Sequence, residues 1–134
     1  MAKYKNNHKM AVVFILLSIV WIAILFTESS QPPAPILGEV SGLDKVAHFF
    51  AFGVLAILIC GAAFNLYPGA GLSKYITPLL IVTIIGLADE LYQLSNPNRA
   101  FELLDLVADI SGAVVFLISF KLITRSKFGR RVTF

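Results

Sequence analysis

The sequence predicts an all-α fold: a polytopic membrane protein built as a four-transmembrane-helix bundle with both termini cytoplasmic. Three observations carry that reading. Hydrophobic residues make up 57% of the 134-residue chain, charged residues only 14%, and the mean hydropathy is +0.82, a composition too apolar for an ordinary soluble domain. Four long apolar runs alternate with breaks rich in Pro, Gly and Asn. Of the eleven Lys and Arg residues, nine fall at the N-terminal tail, the turn at Lys74 or the C-terminal end. In a four-helix chain those three segments share one side, which the positive-inside rule makes cytoplasmic.

Each element has a local signal. Residues 1–9 are a polar, basic tail carrying Lys3, Lys5, His8 and Lys9. Met10 to Phe26 is apolar and just long enough to span, since a membrane helix needs about 17–25 residues. A basic start before an apolar core also fits a secretory signal peptide, but no small-x-small site follows Phe26, so a retained helix is expected. Thr27 to Gly42 contains Pro32, Pro33 and Pro35 and reads as a loop. The second helix is expected over 43–64, with Ser41 as its cap and Asp44 in its first turn, where a carboxylate suits the helix dipole. Pro68, Gly69 and Gly71 mark a turn before a third helix over 74–94. Pro78 lies near the start of that helix, before its amide is needed. A turn at Ser95-Asn96-Pro97-Asn98 precedes the fourth helix, expected over 101–124, and residues 125–134 form a basic cytoplasmic tail. Residues 10–124 thus make one membrane domain, with no internal repeat and no low-complexity tract.

The acids organise this frame. Asp89 and Glu90 end the third apolar run, and Asp105 and Asp109 open the fourth. A carboxylate at a helix centre costs about 2.5–3.5 kcal/mol on insertion scales. All eight acids fall on the side opposite the basic segments or in the outer halves of helices. The topology therefore gathers Asp44, Lys45 and His48 with Asp89, Glu90 and Gln93, with Arg99 and Glu102, and with Asp105 and Asp109. Pairs four residues apart share a helix face: Asp44 with His48, Asp89 with Gln93, Asp105 with Asp109. Gly112 extends the last face and would admit a close helix neighbour. The cluster reads either as interhelical glue, with Arg99 on Glu102 or a helix carboxylate, Lys45 on an acid and His48 on a carbonyl, or as an outward-facing functional pocket.

Several chemistries fit these residue types. Carboxylates suit Mg, Ca or Mn, and an added imidazole admits Zn, although no His-Glu-x-x-His motif is present. Glu90 with His48 could serve as a general acid/base pair. Arg99 and Lys45 could hold a phosphate. There is no Gly-x-Ser-x-Gly nucleophile motif and no nucleic-acid motif. The lone Cys60 lies inside an apolar run and reads as a buried small residue. Phe49, Phe50 and Phe52 read as lipid-facing or core packing, and Trp21 and Tyr92 as interface residues.

At these positions the chain resembles the VanZ-like family of small bacterial membrane proteins, named for a teicoplanin-resistance protein. The matching segments are Asp44-Lys45-Val46-Ala47-His48-Phe49-Phe50-Ala51-Phe52-Gly53 and Asp89-Glu90-Leu91-Tyr92-Gln93, with the spacing of Arg99, Asp105, Asp109 and Gly112. The family more often has Asn where this chain has Asp109, and a small residue where it has Phe116. The resemblance covers about residues 40–120. It implies a multi-pass protein of the bacterial inner membrane, with a link to the cell envelope and antibiotic resistance. Residues and resemblance together lead to the expectation of a protein that recognises or modifies a lipid-linked envelope ligand. Glu90, Asp89 and His48 would be the catalytic candidates, with Gln93 orienting. Arg99 and Lys45 would engage an anionic headgroup, and Asp44, Asp105 and Asp109 would complete the binding set. The alternatives are a non-catalytic interaction protein and a small proton- or cation-coupled transporter. The expected partner is the lipid bilayer and not nucleic acid; the sequence names no cofactor and no metal.

Overall fold

The computed structural model describes residues 7–67 and 71–130, with side chains to residue 126. Residues 1–6 of the N-terminal tail, Pro68 and Gly69 of the expected turn, and the last four residues of the basic tail lie outside the described residues. The chain is helical: α1 (His8–Ser30), α2 (Pro35–Glu39), α3 (Leu43–Leu66), α4 (Ser73–Gln93) and α5 (Leu103–Arg130). All but α2 are long and apolar enough to cross a membrane, with mean hydropathies between 1.5 and 2.8 over their most apolar stretches. At 1.5 Å per residue, the 21 residues of α4 reach about 32 Å, enough for a hydrocarbon core of about 30 Å.

The ends of the helices differ from expectation in instructive ways. Helix α1 runs four residues past Phe26, because Thr27, Glu28, Ser29 and Ser30 do not break a helix. The proline loop holds the short α2, with Pro35 at its first position, where proline's missing N–H costs nothing. Ser41 does not cap α3. Gly42 occupies the cap position with φ +80°, a left-handed conformation that glycine adopts without a Cβ penalty. Helix α5 starts two residues later than expected and continues into the basic tail.

Helix α3 is the centre of the bundle and packs against α1, α4 and α5. Asn7 N donates to Asn65 O at 3.2 Å, placing the start of α1 beside the end of α3, so these two helices run antiparallel. Phe52, Leu55, Ala56 and Cys60 of α3 form the core with Val82 of α4 and with Ala113 and Leu117 of α5. Lipid tails are as apolar as these side chains, so close packing rather than water exclusion holds such a core. The closest approach is at Gly112, where a Cβ would collide with the carbonyl oxygen of Phe49. Large side chains such as Leu16, Ile84 and Leu122 face outward, as a lipid-contacting surface requires.

Polar groups inside this frame are bonded locally. Ser18, Thr83, Ser111 and Ser119 each donate to the carbonyl four residues back. Pro78 is the sixth residue of α4, beyond the first turn, so its missing N–H leaves the carbonyl of Lys74 without its helical donor. The buried thiol of Cys60 donates to that carbonyl at 3.5 Å, a weak bond that ties α3 to α4. Lys74 itself is not on a surface turn. It is buried, with its ammonium 4.7 Å from the Phe64 ring centroid. Trp21 is likewise internal rather than interfacial, its indole N–H donating to Ala51 O at 2.9 Å.

Candidate functional site

The polar residues expected together do meet, at the end of the bundle formed by the C-termini of α1 and α4 and the N-termini of α3 and α5. They form two layers. The outer layer centres on Lys45. Its ammonium contacts Asp44 at 2.6 Å, Glu102, and Asp105 at 2.9 Å. The ammonium donates hydrogen bonds to Asp44 and Glu102 and forms an ion pair with Asp105.

The inner layer is split by the rotation of α4. Consecutive helix residues point about 100° apart, so Asp89 and Glu90 face different neighbours. Asp89 turns to α1 and accepts a hydrogen bond from the Ser29 hydroxyl. Glu90 turns to α5, where its Oε2 accepts the backbone N–H of Glu102 at 3.1 Å. Gln93 bridges them, its amide nitrogen 3.3 Å from Asp89 Oδ2 and 3.4 Å from Glu90 Oε1. From α3, His48 places Nδ1 2.8 Å from Asp109 Oδ1 and Nε2 3.9 Å from Asp105 Oδ2. The Phe52 ring lies parallel to the imidazole, with centroids 6.1 Å apart. Asp89, Glu90, Gln93, Asp105 and Asp109 are all buried.

Beside these layers lies a cavity of about 420 Å³, within the range of small-molecule sites. Asp44, His48, Asp89, Gln93 and Asp105 are among its polar lining residues. Leu25, Leu37, Ala47 and Phe52 are among its apolar walls, and α2 covers part of it through Leu37 and Gly38. Glu90 and Asp109 are not in the lining; they sit behind His48 and Asp89. Of the three catalytic candidates, His48 and Asp89 therefore reach the cavity and Glu90 does not.

Two expected pairings are replaced. Arg99 bonds to neither Glu102 nor a helix carboxylate. Its guanidinium donates to the backbone carbonyls of Gln31 at 3.0 Å and Glu28 at 3.2 Å, closing the exposed end of α1. This suits the unsatisfied carbonyls and negative dipole end of a helix C-terminus. His48 bonds a carboxylate rather than a carbonyl. The sequence reading also missed Ser29 and Asn96. Asn96 Nδ2 donates to Ser30 O at 3.0 Å, and with Arg99 it fastens the α4–α5 loop to α1. The adjacent serines after Thr27-Glu28 were the available signal, since hydroxyls at a helix end beside intramembrane acids are candidate donors.

The electrostatics are one-sided. Lys45 contacts Asp44, Glu102 and Asp105, and His48 contacts Asp105 and Asp109, while Asp89 and Glu90 have neutral partners and Arg99 is the further basic group in the cavity lining. Buried carboxylates need donors or cations to offset lost hydration. The cavity lining thus combines acids and an imidazole with apolar side chains.

Comparison with known families places this site in context. Residues 14–124 match the family model described as VanZ/LLP1, a stretch that contains the entire polar cluster and every cavity-lining residue. No curated protein and no solved structure matches the chain. The chain belongs to the VanZ/LLP1 family.

Proposed function

We propose that this multi-pass VanZ/LLP1-family membrane protein binds an amphipathic, lipid-linked envelope ligand in the cavity enclosed by α1 to α5 at the polar end of the bundle. The observation that carries the reading is the cavity's mixed lining, which joins carboxylates and an imidazole to leucine, alanine and phenylalanine side chains. An amphipathic ligand matches both kinds of group at once. Its polar head would donate N–H or O–H groups to Asp89, Asp44 and Asp105, while its apolar portion packs on Leu25, Leu37 and Ala47. An anionic headgroup held by Lys45 and Arg99 is a poorer fit. The ammonium of Lys45 has three acid partners, and Arg99 clamps backbone carbonyls.

Orientation belongs to the same proposal. The basic segments support a topology with both termini in the cytoplasm by the positive-inside rule, in which the cavity would open at the outer leaflet of a bacterial inner membrane. His48 and Asp89 are the catalytic candidates that line the cavity, so any modification of the ligand would be assigned to them. A link to teicoplanin rests on the family resemblance. It would be carried by a change in teicoplanin susceptibility on expression of the wild type that a cavity-filling variant fails to produce.

The direct test is native mass spectrometry of the gently solubilised full chain, wild type beside Ala47→Trp. Ala47 lines the cavity without bonding to the polar cluster, so the indole fills space and leaves the acids in place. A retained amphiphile in the wild type that is lost from the folded variant supports the proposal. Equal retention in both would move the ligand out of this cavity.

A further inference from the structure

The group behind the cavity is not closed by its own contacts. His48, Glu90 and Asp109 each offer a ligand atom, and these atoms all lie within 4.8 Å of one another. Glu90 and Asp109 are 0% exposed. Asp109 Oδ1 bonds His48, but Oδ2 is buried with no hydrogen-bond partner. That oxygen faces α4 at Gly86, one turn before Glu90 on the same helix, where an added Cβ would stand only 2.9 Å from it. A charged oxygen left bare in a membrane bundle calls for a cation or a donor.

A second triad, Asp44, Glu102 and Asp105, has similar spacing, but Lys45 already contacts all three of its members. The inner triad has no such ammonium in contact with it among the described residues, and it mixes imidazole with carboxylate.

We infer that His48, Glu90 and Asp109 form a binding site for a divalent transition-metal ion of the zinc class. Mixed nitrogen and oxygen donors suit zinc better than the all-oxygen shells of magnesium or calcium. Zinc accepts four ligands, and three protein donors leave one position open. His48 belongs to both the triad and the cavity lining, so an ion held here would lie next to the cavity. Gln93, which bonds Glu90, and the Glu102 N–H, which bonds its other oxygen, fix the orientation of that carboxylate as outer-sphere partners do in metal sites. The inference does not depend on the identity of the lipid-linked ligand, because metal occupancy is read separately from amphiphile retention.

The test uses the full chain in detergent, stripped with a chelator and dialysed to equilibrium against Zn²⁺. The expected result is about one ion per chain. Glu90→Gln and Asp109→Asn should each weaken binding by roughly tenfold or more, while Asp44→Asn in the outer triad leaves it unchanged. X-ray absorption of the zinc-loaded wild type gives a second reading that needs no variant. Imidazole scattering in the metal shell supports the inner triad, since the outer triad contains no histidine. A wild type that takes up no zinc, an oxygen-only shell, or a loss confined to Asp44→Asn would each overturn the inference.

Discussion

His48 Nδ1 and Asp109 Oδ1 lie 2.8 Å apart, joining α3 to α5 across 61 positions of sequence. Asp109 is fully buried, and this is the bond that satisfies one of its two oxygens. Replacing His48 by Ala would strand the carboxylate. Loss of one partner from a buried charged pair costs about 3–5 kcal/mol, and unfolding of the detergent-solubilised H48A chain should show a destabilisation of that order. Adding Asp109→Asn to H48A should recover a large part of it, because a neutral amide is cheaper to bury than a bare charge. A double variant no more stable than H48A would show that the cost lies in packing against Phe52 instead.

Gly112 is the position where α5 can least tolerate a side chain. A Cβ there would strike the backbone of Phe49, which cannot rotate aside as a side chain can. Overpacking costs about 1–3 kcal/mol, occasionally more, and Gly112→Ala should fall at the upper end. Gly38→Ala meets nothing within 4 Å and should stay within about 0.5 kcal/mol of wild type, as surface changes do. Thermal unfolding of the two variants side by side checks the contrast; equal midpoints would contradict it.

Arg99 holds the α4–α5 loop to the end of α1 through two carbonyls that face the same guanidinium. Arg99→Ala should speed amide exchange at residues 95–101 and 28–34 while the core of α3 stays protected. Arg99→Lys should restore little, because a point-charge ammonium cannot reproduce a planar fork. Exchange mass spectrometry reads both, and full protection in Arg99→Lys would show that charge alone suffices.

Membrane orientation can be read with the chain's own background. Cys60, the single cysteine, is buried. Glu39→Cys at the cavity end should react with a membrane-impermeant maleimide added to intact cells. Tyr67→Cys at the opposite end should react only after permeabilisation. The reverse pattern would invert the assignment of the cytoplasmic side.

The four spanning helices were legible because each apolar run falls within the length a membrane helix needs and Pro-, Gly- or Asn-rich breaks separate the runs. Helix α2 was not, since Pro35 reads as a breaker until it is known to stand at a helix start, where it is favoured. The gathering of Asp44, His48, Asp89, Glu90, Asp105 and Asp109 at one end followed from topology alone. Their division did not. Whether Asp89 or Glu90 faces the cavity depends on the rotation of α4 about its axis, which neighbouring helices set and local sequence does not. Ser29 was invisible for the same reason: a hydroxyl becomes an acid's partner only when another helix brings the acid to it. Gly112 was legible because a small residue one turn beyond a polar pair marks a close helix contact.

The most direct measurement of ligand binding in the cavity is photocrosslinking in living cells, with a benzophenone amino acid at position 47 beside a lipid-facing control at Ile84, which is 67% exposed. Position 47 is expected to capture one discrete amphiphile, absent from the spectrum of bulk phospholipids captured at position 84. Identical lipid adducts at both positions would mean that the cavity holds only ambient bilayer lipid and would contradict a dedicated ligand site.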